Sequence, residues 1–164
     1  MKNHKNTDLL FACGEKLIDK KLTMAFAESA TAGRICAAFA LVPDAGKFLK
    51  GGIVCYDAGL KTSILGVCKS DIETYSPESA IVTQGITTGL RQLISADIYI
   101  GCTGLTCPGG SETAEKPVGT MFLHAINKDK LLFSERMLFN GNPEEIILQT
   151  VQHTSKLLYT ILQF

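Results

Sequence analysis

The sequence predicts an α/β protein: a three-layer α/β/α sandwich around a mixed, mostly parallel central sheet with a late antiparallel hairpin. Three observations carry this. Helical stretches separate the early strands, the pattern that lays strands side by side with helices on both faces. The run Leu22–Glu28 is nearly all apolar, as a strand covered on both sides must be. Two strand-like runs flank Lys128-Asp129-Lys130, which reads as a hairpin.

Taken in order, Leu9, Leu10, Cys13, Leu17 and Ile18 recur at helical spacing and predict a helix over Asp8–Lys20. The apolar strand Leu22–Glu28 follows. Ser29–Gly33 is a turn leading into a helix over Ala32–Leu41, then a loop over Val42–Gly46. Lys50–Tyr56 is a second strand, with a short helix over Ala58–Leu65 stopped by Gly66. Ser76-Pro77-Glu78 has a cap serine, a proline at the first helical position and an early acid. That helix is expected to run to Ser95. Ala96–Cys102 is the next strand and Thr103–Pro117 a long loop. Val118–Asn127 and Leu131–Phe139 form the hairpin. Asn142 caps the last helix, with Pro143 at its first position and its end near Leu162.

The 164 residues fit one domain, 1–164. Sixteen basic residues balance sixteen acidic ones. A nucleic-acid protein shows a basic patch, and only short clusters such as Lys20-Lys21 occur, so no nucleic-acid partner is expected. No run reaches the 18 or so apolar residues that cross a bilayer, so no membrane partner is expected either. Leu10-Phe11-Ala12-Cys13 faintly resembles a lipoprotein cleavage site, but four apolar residues are too few for a signal peptide. The six cysteines show no C-x-x-C spacing and read as free thiols, which places the chain in the reducing cytoplasm. His4, His124 and His153 show no metal spacing, so no metal is expected.

The chemistry-bearing residues fall just after predicted strands. In open α/β sheets, ligands bind outside the carboxyl ends of the strands. Ser29 closes one strand, Tyr56 and Lys61 follow the second, and Thr103, Gly104, Gly109 and Gly110 follow the third. Ser29 either caps the following helix or acts as a nucleophile that needs a base. Lys61 is the nearest base, with Tyr56 as helper. For that its pKa must fall by about 3, which requires burial or like charge. Glycines in the 104–110 loop let backbone approach a phosphate or carboxylate closely. No Walker A, G-x-G-x-x-G, H-E-x-x-H or G-x-S-x-G pattern occurs.

Together these motifs resemble the CinA C-terminal domain family, whose members include nicotinamide-nucleotide amidases. The resemblance spans roughly Leu9–Thr160. It rests on Ala27-Glu28-Ser29-Ala30-Thr31-Ala32-Gly33, on Gly51–Tyr56 with Lys61, on Leu65-Gly66-Val67, on Thr103–Gly110 and on Lys116–Thr120. It implies an amide hydrolase that converts nicotinamide mononucleotide to nicotinate mononucleotide and ammonia. Ser29 is then the nucleophile, Lys61 the base and Tyr56 its assistant, with no cofactor. The matching motifs put Glu28, Thr31, Gly33, Thr103, Gly104, Gly109 and Gly110 at the substrate.

The chain also departs from the family pattern. Ala30 stands for a common cysteine, Ala32 for a glycine and Ala58 for an asparagine, and Cys107 adds a side chain to the Gly-rich loop. Pro143 and Ile147 stand where the final helix usually carries arginines, a natural fork for phosphate. Three readings follow: an active nucleotide amidase, an amidohydrolase of shifted specificity, and a non-catalytic ligand-binding paralogue. The apolar run Leu157–Leu162 is either core packing or the face of a homo-oligomer.

Overall fold

A computed structural model describes residues 4–163. Helix α1 (His4–Asp19) leads to strand β1 (Met24–Glu28), helix α2 (Arg34–Ala40), a 3₁₀ turn at Ala45–Lys47 and strand β2 (Leu49–Val54). Helices α3 (Ala58–Ser63), α4 (Lys69–Tyr75) and α5 (Ala80–Leu90) precede β3 (Ile98–Gly104). The hairpin β4 (Thr120–Asn127) and β5 (Lys130–Leu138) and helix α6 (Pro143–Ile161) complete the fold.

The sheet order is β2-β1-β3-β4-β5. β1 is central among three parallel strands, and β4 runs antiparallel to both β3 and β5. All five residues of β1 are buried, as its apolar run required. Side chains on one face of the sheet pack under α1, α2 and α6, where Phe26 stacks on Phe39 at 5.5 Å between ring centroids. The other face packs against α5 through Val82, Ile86 and Leu90. Gly101 is needed there: a Cβ on it would lie 2.1 Å from Thr87 Oγ1. The apolar C-terminal run is core, since Leu158 and Leu162 are buried with α1 and α2 residues. Among the described residues no helix is long and apolar enough to cross a membrane.

Several boundaries differ from the sequence expectation. Helix α4 was not expected, because its seven residues show no apolar stripe and its cap, Cys68, makes no side-chain capping bond. The helix expected at Ser76 begins at Ala80, with Ser79 accepting from the Val82 amide. Ser76 has φ 72, so Ser76-Pro77-Glu78 forms a separate turn and not the first turn of α5. Helix α5 stops at Leu90 instead of Ser95, where Arg91–Leu93 tighten into three-residue turns. β3 extends to Gly104, because Thr103 and Gly104 pair with Phe122 and Met121 of β4. Asn142 caps α6 as expected, in a reciprocal capping box with Glu145.

Candidate active site

The parallel strands β2, β1 and β3 end side by side: Glu28 is level with Val54 on one side and Cys102 on the other. The chain turns sharply after Glu28. The Ser29 amide donates to the Cys102 carbonyl at 2.9 Å, which ties the turn to β3. Ser29 is buried except for an edge that lines a cavity of about 230 Å³. Tyr56, Glu78 and the 104–110 loop form its walls. The Ser29 hydroxyl makes no hydrogen bond among the described residues, so it is not a helix cap. The amides of Ala30, Thr106 and Cys107, all cavity-lining residues, make none either. Free amides beside a free hydroxyl can stabilise an oxyanion or hold an anionic substituent.

Glu28, Thr31 and Gly33 are placed elsewhere. The buried Glu28 carboxylate points beneath α2. One oxygen accepts from Thr31 Oγ1 at 2.6 Å and from the Gly33 and Ile35 amides at 3.1 Å each. The other accepts from the Cys36 amide at 2.7 Å. A carboxylate at a helix N-terminus satisfies the orphan amides and opposes the helix dipole. These three residues build the turn that presents Ser29 and do not line its cavity. Ala32 sits in this turn at φ 49 and Gly33 at φ 89, a left-handed pair where an L side chain is strained.

Lys61 is wholly buried at the end of α3. Its amine donates to the Cys55 carbonyl at 3.1 Å and to the Tyr56 carbonyl at 3.4 Å. Burial pushes its pKa below the ordinary lysine value, against opposing pulls from Cys55, Glu78 and Asp57. The structure does not hydrogen-bond Lys61 to Ser29. It places the amine against the backbone of Tyr56, whose side chain lines the cavity.

The Gly-rich loop divides by role. Thr103 is fully buried and its hydroxyl shares a hydrogen bond of 2.8 Å with Thr83. Gly104 is a packing glycine, since a Cβ there would meet Met121 Sδ at 2.2 Å. The Gly109 amide donates to Glu112 at 2.8 Å, and this bond is the leading reason the Glu112 carboxyl sits below the usual range. Gly104, Gly109 and Gly110 line the cavity and Thr103 does not. Cys107 is an exposed wall residue and the cavity stays open beside it.

Sequence reasoning missed Glu78 and underused Lys116. Lys116 Nζ donates to the Glu78 carbonyl at 2.9 Å, to Ser111 Oγ at 2.7 Å and to Ser76 Oγ. Ser111 Oγ in turn donates to the Glu78 carboxylate. This network pins the 76–78 turn to the loop and aims Glu78 at the cavity. In the sequence, Ser76-Pro77-Glu78 carries the signals of a helix start, with Glu78 as its early acid, and Lys116 opens the Lys116–Thr120 motif. No residue of α6 lines the cavity, and no group of three metal-ligating side chains occurs among the described residues.

The model of the CinA C-terminal domain family matches residues 6–162. The chain belongs to the CinA C-terminal domain family. A CinA-like protein of Thermotoga maritima is 40% identical over 126 residues, covering 77% of this chain and 30% of that protein. The Protein MG115 homolog of Mycoplasma pneumoniae is 34% identical over 146 residues, covering 85% of this chain and 92% of its own. The chain thus spans about a third of its longer curated relatives and nearly all of a short one. A solved CinA superfamily protein from Klebsiella pneumoniae superposes with a TM-score of 0.88 at 27% identity, covering 96% of this chain and 98% of its own. The CinA match therefore covers both faces of the sheet and all three strand ends at the cavity.

Proposed function

We propose that this CinA-family chain is an amidohydrolase that releases ammonia from a carboxamide, with nicotinamide mononucleotide as substrate. The observation that carries the reading is Ser29: an unbonded hydroxyl at a strand end, facing a cavity beside unbonded amides. Ser29 Oγ attacks the carboxamide carbon, and its proton is relayed through the Tyr56 phenol at the cavity wall, or a water, to the Lys61 amine, which does not bond Ser29 directly and whose cationic form burial disfavours. The C–N bond breaks, and ammonia leaves with the proton returned from Lys61. Water then cleaves the acyl–Ser29 ester, giving the carboxylic acid and restoring the serine. The free amides at Ala30, Thr106 and Cys107 receive the oxyanion or the phosphate. The deciding experiment measures ammonia released from nicotinamide mononucleotide by the purified protein beside Ser29→Ala and Lys61→Met. Release abolished in both folded variants supports the reading, and release no greater than in Ser29→Ala overturns it.

A second reading rests on the charge of the cavity. Glu78 is its one charged lining residue among those described, and no cationic side chain lines it. That favours a carboxamide lacking a phosphate. Faster turnover of nicotinamide than of its nucleotide in the same assay selects this alternative.

A further inference from the structure

A second polar cavity lies on the α5 side of the hairpin, running from His124 to the hairpin turn at Lys128 and Asp129. It measures about 290 Å³. Gln84, Thr88 and Arg91 fall on one face of α5, at spacings of four and three residues. His124 of β4 and its cross-strand partner Ser134 of β5 form the floor. Lys128 and Asp129 of the hairpin turn close the end.

The chemistry of this cavity is not that of a solvated surface. His124 is 95% buried, being only 5% exposed, and its Nδ1 has no hydrogen-bond partner. A buried polar atom without a partner is rare in a native structure and calls for an explanation. Its imidazole is held below the ordinary histidine value by burial. The hydroxyls of Thr88 and Ser134 make no hydrogen bond among the described residues, and Lys128 makes no ion pair. Arg91 donates one Nη1 bond of 2.8 Å to Asp129, which is itself exposed. The other donors of the guanidinium fork stay free. An exposed pair of this kind is weakly held, so a competing anion can share or take the arginine.

We propose that this cavity is a second binding site, for a small anion bearing a phosphate or carboxylate group. Arg91 and Lys128 supply two positive charges against one from Asp129. Ser134 and Thr88 supply hydroxyl donors, and the imidazole of His124 turns to donate to the bound oxygen. The site shares no residue with the Ser29 cavity, so its occupancy is independent of the amidase reading.

The test uses the three histidines of the chain as reporters. Imidazole ¹H–¹⁵N resonances are followed while inorganic phosphate, or separately acetate, is titrated at constant ionic strength. His124 is assigned with His124→Gln. The expected result is a saturable shift of His124 that leaves His153 in place, with affinity weakened at least tenfold in Arg91→Gln and in Lys128→Gln. Both substituted residues are partly or fully exposed, so these variants keep the fold. A shift with phosphate alone assigns a phosphate site, and one with acetate as well assigns a general oxyanion site. No saturable shift with either probe, or one unchanged in both variants, overturns the proposal.

Discussion

The Lys61 amine donates to the Cys55 carbonyl at 3.1 Å from a wholly buried position and forms no ion pair among the described residues. A lysine in that position is destabilised as a cation, and its folded pKa lies below the ordinary value because of burial. Between that folded pKa and the unfolded value of about 10.4, the unfolded chain holds more protons than the folded one. Stability therefore rises with pH across this interval and is lowest below it. Lys61→Met removes the effect. Urea unfolding at several pH values between about 7 and 10 should show wild type gaining on the variant as pH rises. A difference that is flat with pH would mean that Lys61 titrates normally.

Glu28 should be a stability residue before it is anything else. Glu28→Gln keeps the volume but turns an amide N–H₂ group toward backbone donors that now bond a carboxylate. Charge-assisted bonds of this kind lead to an expected loss of about 3 kcal/mol. Ser29→Ala, whose hydroxyl is unbonded, should cost under about 1 kcal/mol. Equal unfolding free energies for the two variants would contradict the capping role.

Ala32→Gly should stabilise the protein. Ala32 occupies φ 49, where a Cβ costs roughly 1–2 kcal/mol. Glycine recovers that and loses part of it to greater freedom in the unfolded chain. A net gain of about 0.5–1 kcal/mol is expected from the denaturation midpoint, and a loss would show that the alanine is unstrained.

The loop glycines should separate by mechanism. Gly104→Ala drives a Cβ into Met121 and the Thr120 carbonyl, an overpacking worth about 2 kcal/mol. Gly109→Ala meets no atom within 4 Å and faces only the strain of φ 97, about 1 kcal/mol. Thermal melts of both variants check the order, and a reversed order would mean that β4 yields to the new methyl group.

Lys116 positions Glu78 and touches no substrate in this reading. Lys116→Met releases the Ser76–Glu78 turn and should lower kcat/KM for ammonia release about tenfold. Lys116→Arg should restore part of it. No recovery with arginine, together with a matching fall in melting temperature, would reduce Lys116 to a purely structural role.

Much of this architecture is legible in the sequence. The unbroken apolar run of β1 announced a central strand. Asn142 and Pro143 announced the start of α6, and Lys128-Asp129-Lys130 announced the hairpin. Where the reading slipped, two local signals competed. Ser76-Pro77 carries the chemistry of a helix start, yet Lys116 captures Ser76 and the Glu78 carbonyl, so the helix waits for Ser79. Thr103 and Gly104 resemble loop residues, yet β4 offers them partners.

The sequence by itself determined the five strands and every helix but α4, and that Ser29, Tyr56 and the Gly-rich loop follow strands. Those signals lie within a turn or two of chain, in periodicity, caps and breakers. Only the tertiary structure decided that β2, β1 and β3 end side by side, that Lys61 is buried, that Glu28 serves α2, and that Glu78 enters the cavity. Burial and hydrogen-bond partners depend on residues distant in sequence, as Lys116 and Glu78 are at 38 positions apart, and no local pattern records such a meeting.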